Sequence, residues 1–196
     1  MRTAAFINYL GKAFNDMAVL SPAVVFLDGG YVSRVLKDCF GEPTIDYQAF
    51  SDKLCESSER LRTYYYDCMP LQSDPPTPEE RARYAAKDRF IYRLKSLPRF
   101  EVRLGRLRRI GREYEQKRVD VMLSVDLVRL SWAQQIRKAV LVTGDSDYVP
   151  AIQAAKDAGV LVVLYYCRNL PVHDELLLAC DDRHEITQDL INSVLR

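Results

Sequence analysis

The chain is poor in the residues that mark specialised protein classes. It has only two histidines, His173 and His184, and neither falls in a pattern with serine or cysteine that suggests a nucleophilic triad. Its five cysteines (Cys39, Cys55, Cys68, Cys167, Cys180) are odd in number and include no C-x-x-C pair, which argues against a zinc knuckle and a disulfide framework. They read as buried thiols of a reducing compartment, so a cytoplasmic setting is expected. No apolar run approaches the roughly 18 residues of a membrane span. Charge is balanced as well: 28 basic and 27 acidic side chains leave a net +1, so no global field draws in nucleic acid and any such binding must come from a local patch. No internal repeat or low-complexity block appears.

What is present is ordinary for a soluble globular protein, with 48% hydrophobic and 28% charged residues. A chain of 196 residues fits one substantial domain with trimmings, or at most two small ones. The division expected is an N-terminal extension over 1–21 and a single domain over 22–196. Lys12, Asn15 and Asp16 interrupt the extension, which argues against a secretory signal. Phe6, Tyr9, Leu10, Ala13 and Phe14 repeat there at helical spacing, as in a short amphipathic helix that packs on the domain or on a partner.

Along the rest of the chain, strand and helix patterns alternate. Val24–Leu27, Leu61–Met69, Phe100–Leu107, Ala139–Val142 and Val160–Tyr165 read as strands. Tyr31–Phe40, Asp46–Ser57, a segment from Thr77 to Leu97, Val119–Ala133, Asp147–Ala158 and Val172–Ala179 read as helices. Thr77-Pro78-Glu79-Glu80 is a strong helix start: a cap, a proline, then acids favoured by the dipole. Arg108–Arg118 is a polar connection that could extend as a hairpin. The alternation predicts an α/β fold with a mainly parallel sheet covered on both faces. Right-handed crossovers then bring every strand's carboxyl end to one edge.

That edge gathers acids. Val24–Leu27 ends in Asp28-Gly29-Gly30, and Ala139–Val142 ends in Thr143-Gly144-Asp145-Ser146-Asp147. Asp120 opens the helix that follows Lys117-Arg118. Asp28, Asp120, Asp145 and Asp147 could form an oxygen cage for Mg²⁺ or Mn²⁺. Each acid also has a plainer reading: Asp28 as a turn residue, Asp145 as a helix cap, Asp147 and Asp120 as first-turn acids. Asp126 lies six positions beyond Asp120, about 600° around a helix, on a different face. It reads as a supporting or salt-bridge residue.

Arg99–Arg118 holds eight bases and three acids in a nearly neutral chain. Arg108, Arg109, Arg112, Lys117 and Arg118 could grip backbone phosphates, and Tyr114 could stack on an unpaired base. A solvated strand edge with paired arginines is the alternative. Tyr64-Tyr65-Tyr66, at strand spacing, reads as core.

Three blocks together resemble the NYN domains, the PIN-like group that includes the bacterial LabA-like proteins. They are VVFLDGGYV (Val24–Val32), KRVDVMLSVDLVRLSW (Lys117–Trp132) and VLVTGDSDYVPAI (Val140–Ile152), and the likeness covers about Ala23 to Tyr166. The resemblance implies a Rossmann-like three-layer α/β/α sandwich and an acidic pocket for Mg²⁺ or Mn²⁺. It also implies a ribonuclease, or a relative of one, acting in RNA processing or turnover. By position, the pocket acids are Asp28, Asp120, Asp145 and Asp147, with Asp126 and Ser146 in support. Many members have asparagine where Tyr31 stands. Tyr31 lacks an amide oxygen and joins Lys117, Arg118, Arg108, Arg109 and Arg112 among the expected RNA contacts.

The function expected is therefore metal-dependent cleavage of single-stranded RNA, with a homodimer or protein partner also possible. The alternative is a catalytically weak module of the same fold that binds RNA or a protein. A phosphatase is disfavoured, because an aspartyl-phosphate route usually needs a second acid where Gly30 stands.

Overall fold

The computed structural model describes residues 22–56, 58–110, 113–117 and 119–196, with backbone alone for 106–110 and 113–117. The 1–21 extension lies outside the described residues, as do Arg112 and Arg118.

The elements run in the order β1 (Ala23–Asp28), α1 (Gly29–Phe40), α2 (Tyr47–Cys55), β2 (Arg60–Cys68), α3 (Pro78–Lys95), β3 (Phe100–Ile110), β4 (Glu113–Lys117), α4 (Val119–Trp132) and β5 (Lys138–Val142). After a 3₁₀ turn over Ser146–Tyr148 come α5 (Val149–Asp157), β6 (Leu161–Tyr166), α6 (Asp174–Ala179), β7 (Asp182–Glu185) and α7 (Gln188–Asn192). One sheet contains all seven strands in the order β4-β3-β2-β1-β5-β6-β7. Six are parallel, and only β4 is antiparallel, paired to β3.

The alternation of each strand separates two cores, as the period of two requires. Val25, Leu27, Tyr65, Val140 and Val142 face α1, α2, α3 and α7. Val24, Phe26, Tyr64, Tyr66, Ala139 and Leu141 face α4, α5 and α6. The result is the expected three-layer α/β/α sandwich with a mainly parallel centre. Tyr64, Tyr65 and Tyr66 are all buried, the middle one facing the opposite layer from its neighbours.

Local chemistry explains the element ends. The Asp46 carboxylate accepts the backbone N–H groups of Gln48 and Ala49 to cap α2. Thr77 and Glu80 form a reciprocal capping box at the start of α3, behind Pro78. Gly41 ends α1 at φ 73°, where a side chain would be strained.

The structure differs from the pattern reading in two places. The helix expected from Asp147 begins at Val149, because Ser146–Tyr148 closes into a tighter turn held by the Asp145 side chain. A seventh strand, β7, was not expected. Its residues Asp182, Arg183, His184 and Glu185 are all polar and it lies at the sheet edge, so it carries no apolar alternation to read.

Candidate active site

Strand order reverses direction between β1 and β5, so the crossover helices leave to opposite sides and a crevice opens at the carboxyl ends of these two strands. Asp28 is the last residue of β1. Its Oδ1 accepts the Tyr31 backbone N–H at 3.1 Å, capping α1, and its Oδ2 accepts the Thr143 hydroxyl at 3.2 Å. The fully buried Thr143 Oγ1 also accepts the Asp145 backbone N–H at 3.2 Å. One hydroxyl therefore ties the ends of two neighbouring strands and sets the spacing of two acids. Asp145 in turn accepts the Asp147 N–H at 2.9 Å.

Asp120 enters from the first turn of α4, and its Oδ1 accepts the Tyr148 hydroxyl at 3.1 Å. The Tyr148 ring is fully buried in the core beneath α4 and α5, so its hydroxyl fixes Asp120 from within the fold.

These acids feel one another. Burial raises the Asp28 pKa, and the charges of Asp120 and Asp145 push it further; the bonds from Tyr31 and Thr143 oppose this only in part. Burial also raises Asp120, opposed by the Tyr148 bond and reinforced by Asp145 and Asp147. Burial and the fields of Asp28, Asp120 and Asp145 drive the Tyr148 hydroxyl far up, so it stays a donor. Asp28, Asp120 and Asp145 are thus brought together half-buried, while Asp147 stands exposed at the mouth. Ser146, between the acids, is half-buried in the 3₁₀ turn.

The other predicted residues divide. Asp126 is buried on α4 and accepts bonds from the Tyr66 hydroxyl (3.1 Å), Arg103 Nε (3.4 Å) and Arg129 Nη2 (3.1 Å). None of these partners is a pocket acid, so Asp126 anchors α4 to the sheet through a network of its own. Tyr31 does not take the exposed position that an RNA contact needs. It is 4% exposed, its hydroxyl accepts the Cys167 N–H at 3.0 Å, and its ring lies so close to Gly144 that a Cβ there would stand 2.5 Å from a ring carbon. It shapes the Thr143–Asp147 loop from below instead. The histidines stay apart from the acids: His173 precedes α6, and His184 stacks on Tyr165.

The basic segment is a two-stranded ribbon. The last parallel β2–β3 pair is Cys68 with Gly105, and from Arg106 onward β3 pairs with β4. Because β3 runs parallel to β1, its last five residues project roughly 17 Å past the edge that carries the acids. Arg108 and Arg109 lie on the outgoing strand and Lys117 ends the returning one, which leads into α4 and Asp120.

Two supporting groups escaped the sequence reading. Tyr148 directly follows Asp147, and its position beyond the acidic motif was the available signal. Asp67 is the penultimate residue of β2, beside the end of β1, and it accepts bonds from the Tyr65 hydroxyl (3.0 Å) and from Lys87. A Cβ on Gly29 would stand 2.6 Å from Asp67 Oδ2, so Asp28-Gly29 needs its glycine for close packing on this pair.

The donors here are all oxygen, and burial, reinforced by mutual repulsion, holds two carboxyls above their ordinary range; both features suit a hard divalent cation. Among the described residues, no three His, Cys, Asp or Glu side chains form a closed ligand set. The fit is that of an ion such as Mg²⁺, which binds through one or two carboxylates and retains waters.

The fold and site define a doubly covered α/β protein of the PIN-like type with an acidic switch point. The family model of the NYN domain matches residues 22–187, and the chain belongs to that family. No curated protein matches it. A crystal structure of a protein of unknown function from Vibrio parahaemolyticus superposes with a TM-score of 0.60 at 17% identity, covering 90% of this chain and 96% of that one. This likeness concerns the fold alone. A crystal structure described as that of a proposed oxidoreductase from Parabacteroides merdae matches at 11% identity over 85% of this chain and 31% of that one, and its TM-score of 0.32 carries no argument. No helix among the described residues is long and apolar enough to cross a membrane.

Proposed function

We propose that this chain is a Mg²⁺- or Mn²⁺-dependent phosphodiesterase, a ribonuclease that cuts single-stranded RNA in RNA processing or turnover. The observation that supports it best is the convergence of Asp28, Asp120 and Asp145 at the switch point, where burial and mutual repulsion raise two of the three. In this reading the ion would lie among Asp28, Asp120, Asp145 and Asp147, bound directly by one or two of these carboxylates and retaining several waters, and residues 22–196 are the nuclease domain. The chemistry a bound divalent cation supplies here is neutralisation of phosphoryl charge and acidification of water.

The chain's own groups orient that chemistry. Thr143 fixes the Asp28 carboxylate and the Asp145 backbone, and Tyr148 holds Asp120. Lys117, Arg118, Arg108, Arg109 and Arg112 grip RNA phosphates on the ribbon that leads to Asp120. The protein works in the cytoplasm, in keeping with its unpaired cysteines.

The test compares wild type with Asp145→Ala on single-stranded and structured RNA, with Mg²⁺, Mn²⁺ or chelator. Asp145→Ala is expected to lose activity by about a thousandfold, as several kcal/mol of charge stabilisation would require, while keeping its fold. Equal cleavage by both proteins rules the reading out.

Tyr31, a buried ring against Gly144 where many members of the family carry asparagine, favours a second reading, a weak or inactive module of the same fold that binds RNA or a protein partner. Tight RNA binding without turnover at millimolar Mn²⁺ would select it.

A further inference from the structure

Helix α3 carries a second concentration of positive charge. From Arg81 to Lys95 it holds six bases (Arg81, Arg83, Lys87, Arg89, Arg93, Lys95) and one acid, Asp88, the same surplus as the ribbon segment. Its other two acids, Glu79 and Glu80, stand in the first turn, where Glu80 closes the capping box. A helix so exposed is ordinarily held by opposite charges paired one turn apart. Here Lys87 donates to Asp67 and Arg83 Nη2 to the Leu71 carbonyl at 3.3 Å. Arg81, Arg89 and Arg93 are exposed, and none forms an ion pair among the described residues.

Helix geometry puts these three together. Ile91 and Leu94 are the buried residues of α3. On the side away from them, Arg81, Ala85, Arg89, Tyr92 and Arg93 fall within an arc of about 120°. Tyr92 is 72% exposed, with Arg89 one turn before it and Arg93 beside it. An open ring between two guanidinium groups offers what a single strand recognises, a stacking plane flanked by partners for phosphate.

The place of α3 in the fold fits the same ligand. It joins the parallel strands β2 and β3, so it runs from the carboxyl edge of the sheet back to the amino edge. The Lys87–Asp67 bond fixes its middle near the end of β2, and Pro78 to Ala86 stand about 13 Å beyond that edge. The basic ribbon rises from the same edge on the next strand, β3. Arg81 therefore lies at the level of the ribbon, and Arg89, Tyr92 and Arg93 lead away from it down the outer side, over about 18 Å.

We propose that the outer face of α3 is a second binding surface for single-stranded RNA, on which Arg81, Arg89 and Arg93 hold backbone phosphates and Tyr92 stacks on an unpaired base. This rests on the reading of RNA as the ligand but uses none of the pocket acids, so it does not depend on cleavage. Acidic lipid would also attract the arginines, but the face has no large aliphatic side chain to enter a membrane. Duplex RNA presents no free base to Tyr92.

The test measures binding of the full chain to poly(U) in chelator across a range of salt. Arg89→Ala/Arg93→Ala should weaken binding and flatten the slope of log affinity against log salt by about 1.4. Tyr92→Ala should weaken binding about tenfold with the slope unchanged, and Tyr92→Trp should restore it. All these positions are exposed, so melting temperatures should match wild type. Unchanged affinity and slope in Arg89→Ala/Arg93→Ala overturn the proposal, as does a wild type that does not bind poly(U). Equal losses on duplex RNA, with Tyr92→Ala silent, overturn it in favour of a surface for any polyanion. Binding to phosphatidylserine vesicles that needs Arg89 and Arg93, while poly(U) binding does not, assigns the face to a membrane instead. Poly(U) binding through this face in a protein that cuts no RNA with Mn²⁺ upholds the proposal and removes the nuclease reading alone.

Discussion

The Tyr148 hydroxyl, carried on a fully buried ring, donates to Asp120 Oδ1 at 3.1 Å, so the core reaches into the acidic pocket and fixes one of its carboxylates. Tyr148→Phe removes that bond and little else. Groups that orient ligands typically change metal affinity by about 10- to 100-fold. Mn²⁺ affinity, measured by calorimetry, should fall within that range while thermal stability changes by only about 1 kcal/mol. Unaltered Mn²⁺ binding would detach Tyr148 from the site.

Asp28 should show a conflict between stability and function. Its folded-state pKa is raised, chiefly by burial and then by Asp120 and Asp145. Between the unfolded and folded values the native state holds the extra proton, so stability falls as pH rises through that window. Above it the full penalty of a buried charge remains. Asp28→Asn should therefore melt higher than wild type at neutral pH in chelator, and the difference should vanish below the ordinary carboxylate range. Added Mn²⁺ should raise the melting temperature of wild type more than that of the variant. Thermal scans across pH, with and without metal, decide both points.

Gly144 and Tyr31 should be coupled. A methyl group at Gly144 would overlap the Tyr31 ring, and overpacking of this kind costs about 1–3 kcal/mol. Gly144→Ala should lose stability in that range by urea denaturation. In Tyr31→Ala the added methyl has room, so the double variant should lose less than the sum of the singles. Strict additivity would contradict the contact.

RNA binding through the ribbon should be electrostatic. Each phosphate contact on a single strand contributes about 0.7 to the slope of log affinity against log salt, so Arg108→Ala/Arg109→Ala should flatten it by about 1.4. Salt-titrated binding to a single-stranded oligonucleotide measures this. An unchanged slope would place the RNA elsewhere.

Much of this arrangement was legible because apolar periodicity and strand-end chemistry are local. Val24–Leu27 and Ala139–Val142 are buried on both faces and read as continuous apolar runs. Asp28, Asp145 and Asp120 stand beside such runs or at a helix start, so element assignment alone carried them to one edge. Tyr31 was misleading for the opposite reason. An aromatic residue beside a candidate pocket looks the same in sequence whether its ring faces solvent or, as here, lies against Gly144 with its hydroxyl on the Cys167 N–H. β7 went unread because an edge strand of four polar residues has no pattern to display.

By itself, the sequence determined the layers: the alternation of strand and helix periods, and the acids that end β1 and follow β5. These depend on neighbours along the chain, whose propensities and burial patterns are written in order. Only the tertiary structure decided which groups share a field. Thr143 bridges Asp28 across 115 residues, Tyr148 reaches Asp120 across 28, and Asp126 turns away to Tyr66 across 60. Hydrogen-bond direction and mutual repulsion depend on separations of a few ångströms in space, and those are set by how the helices pack on the sheet.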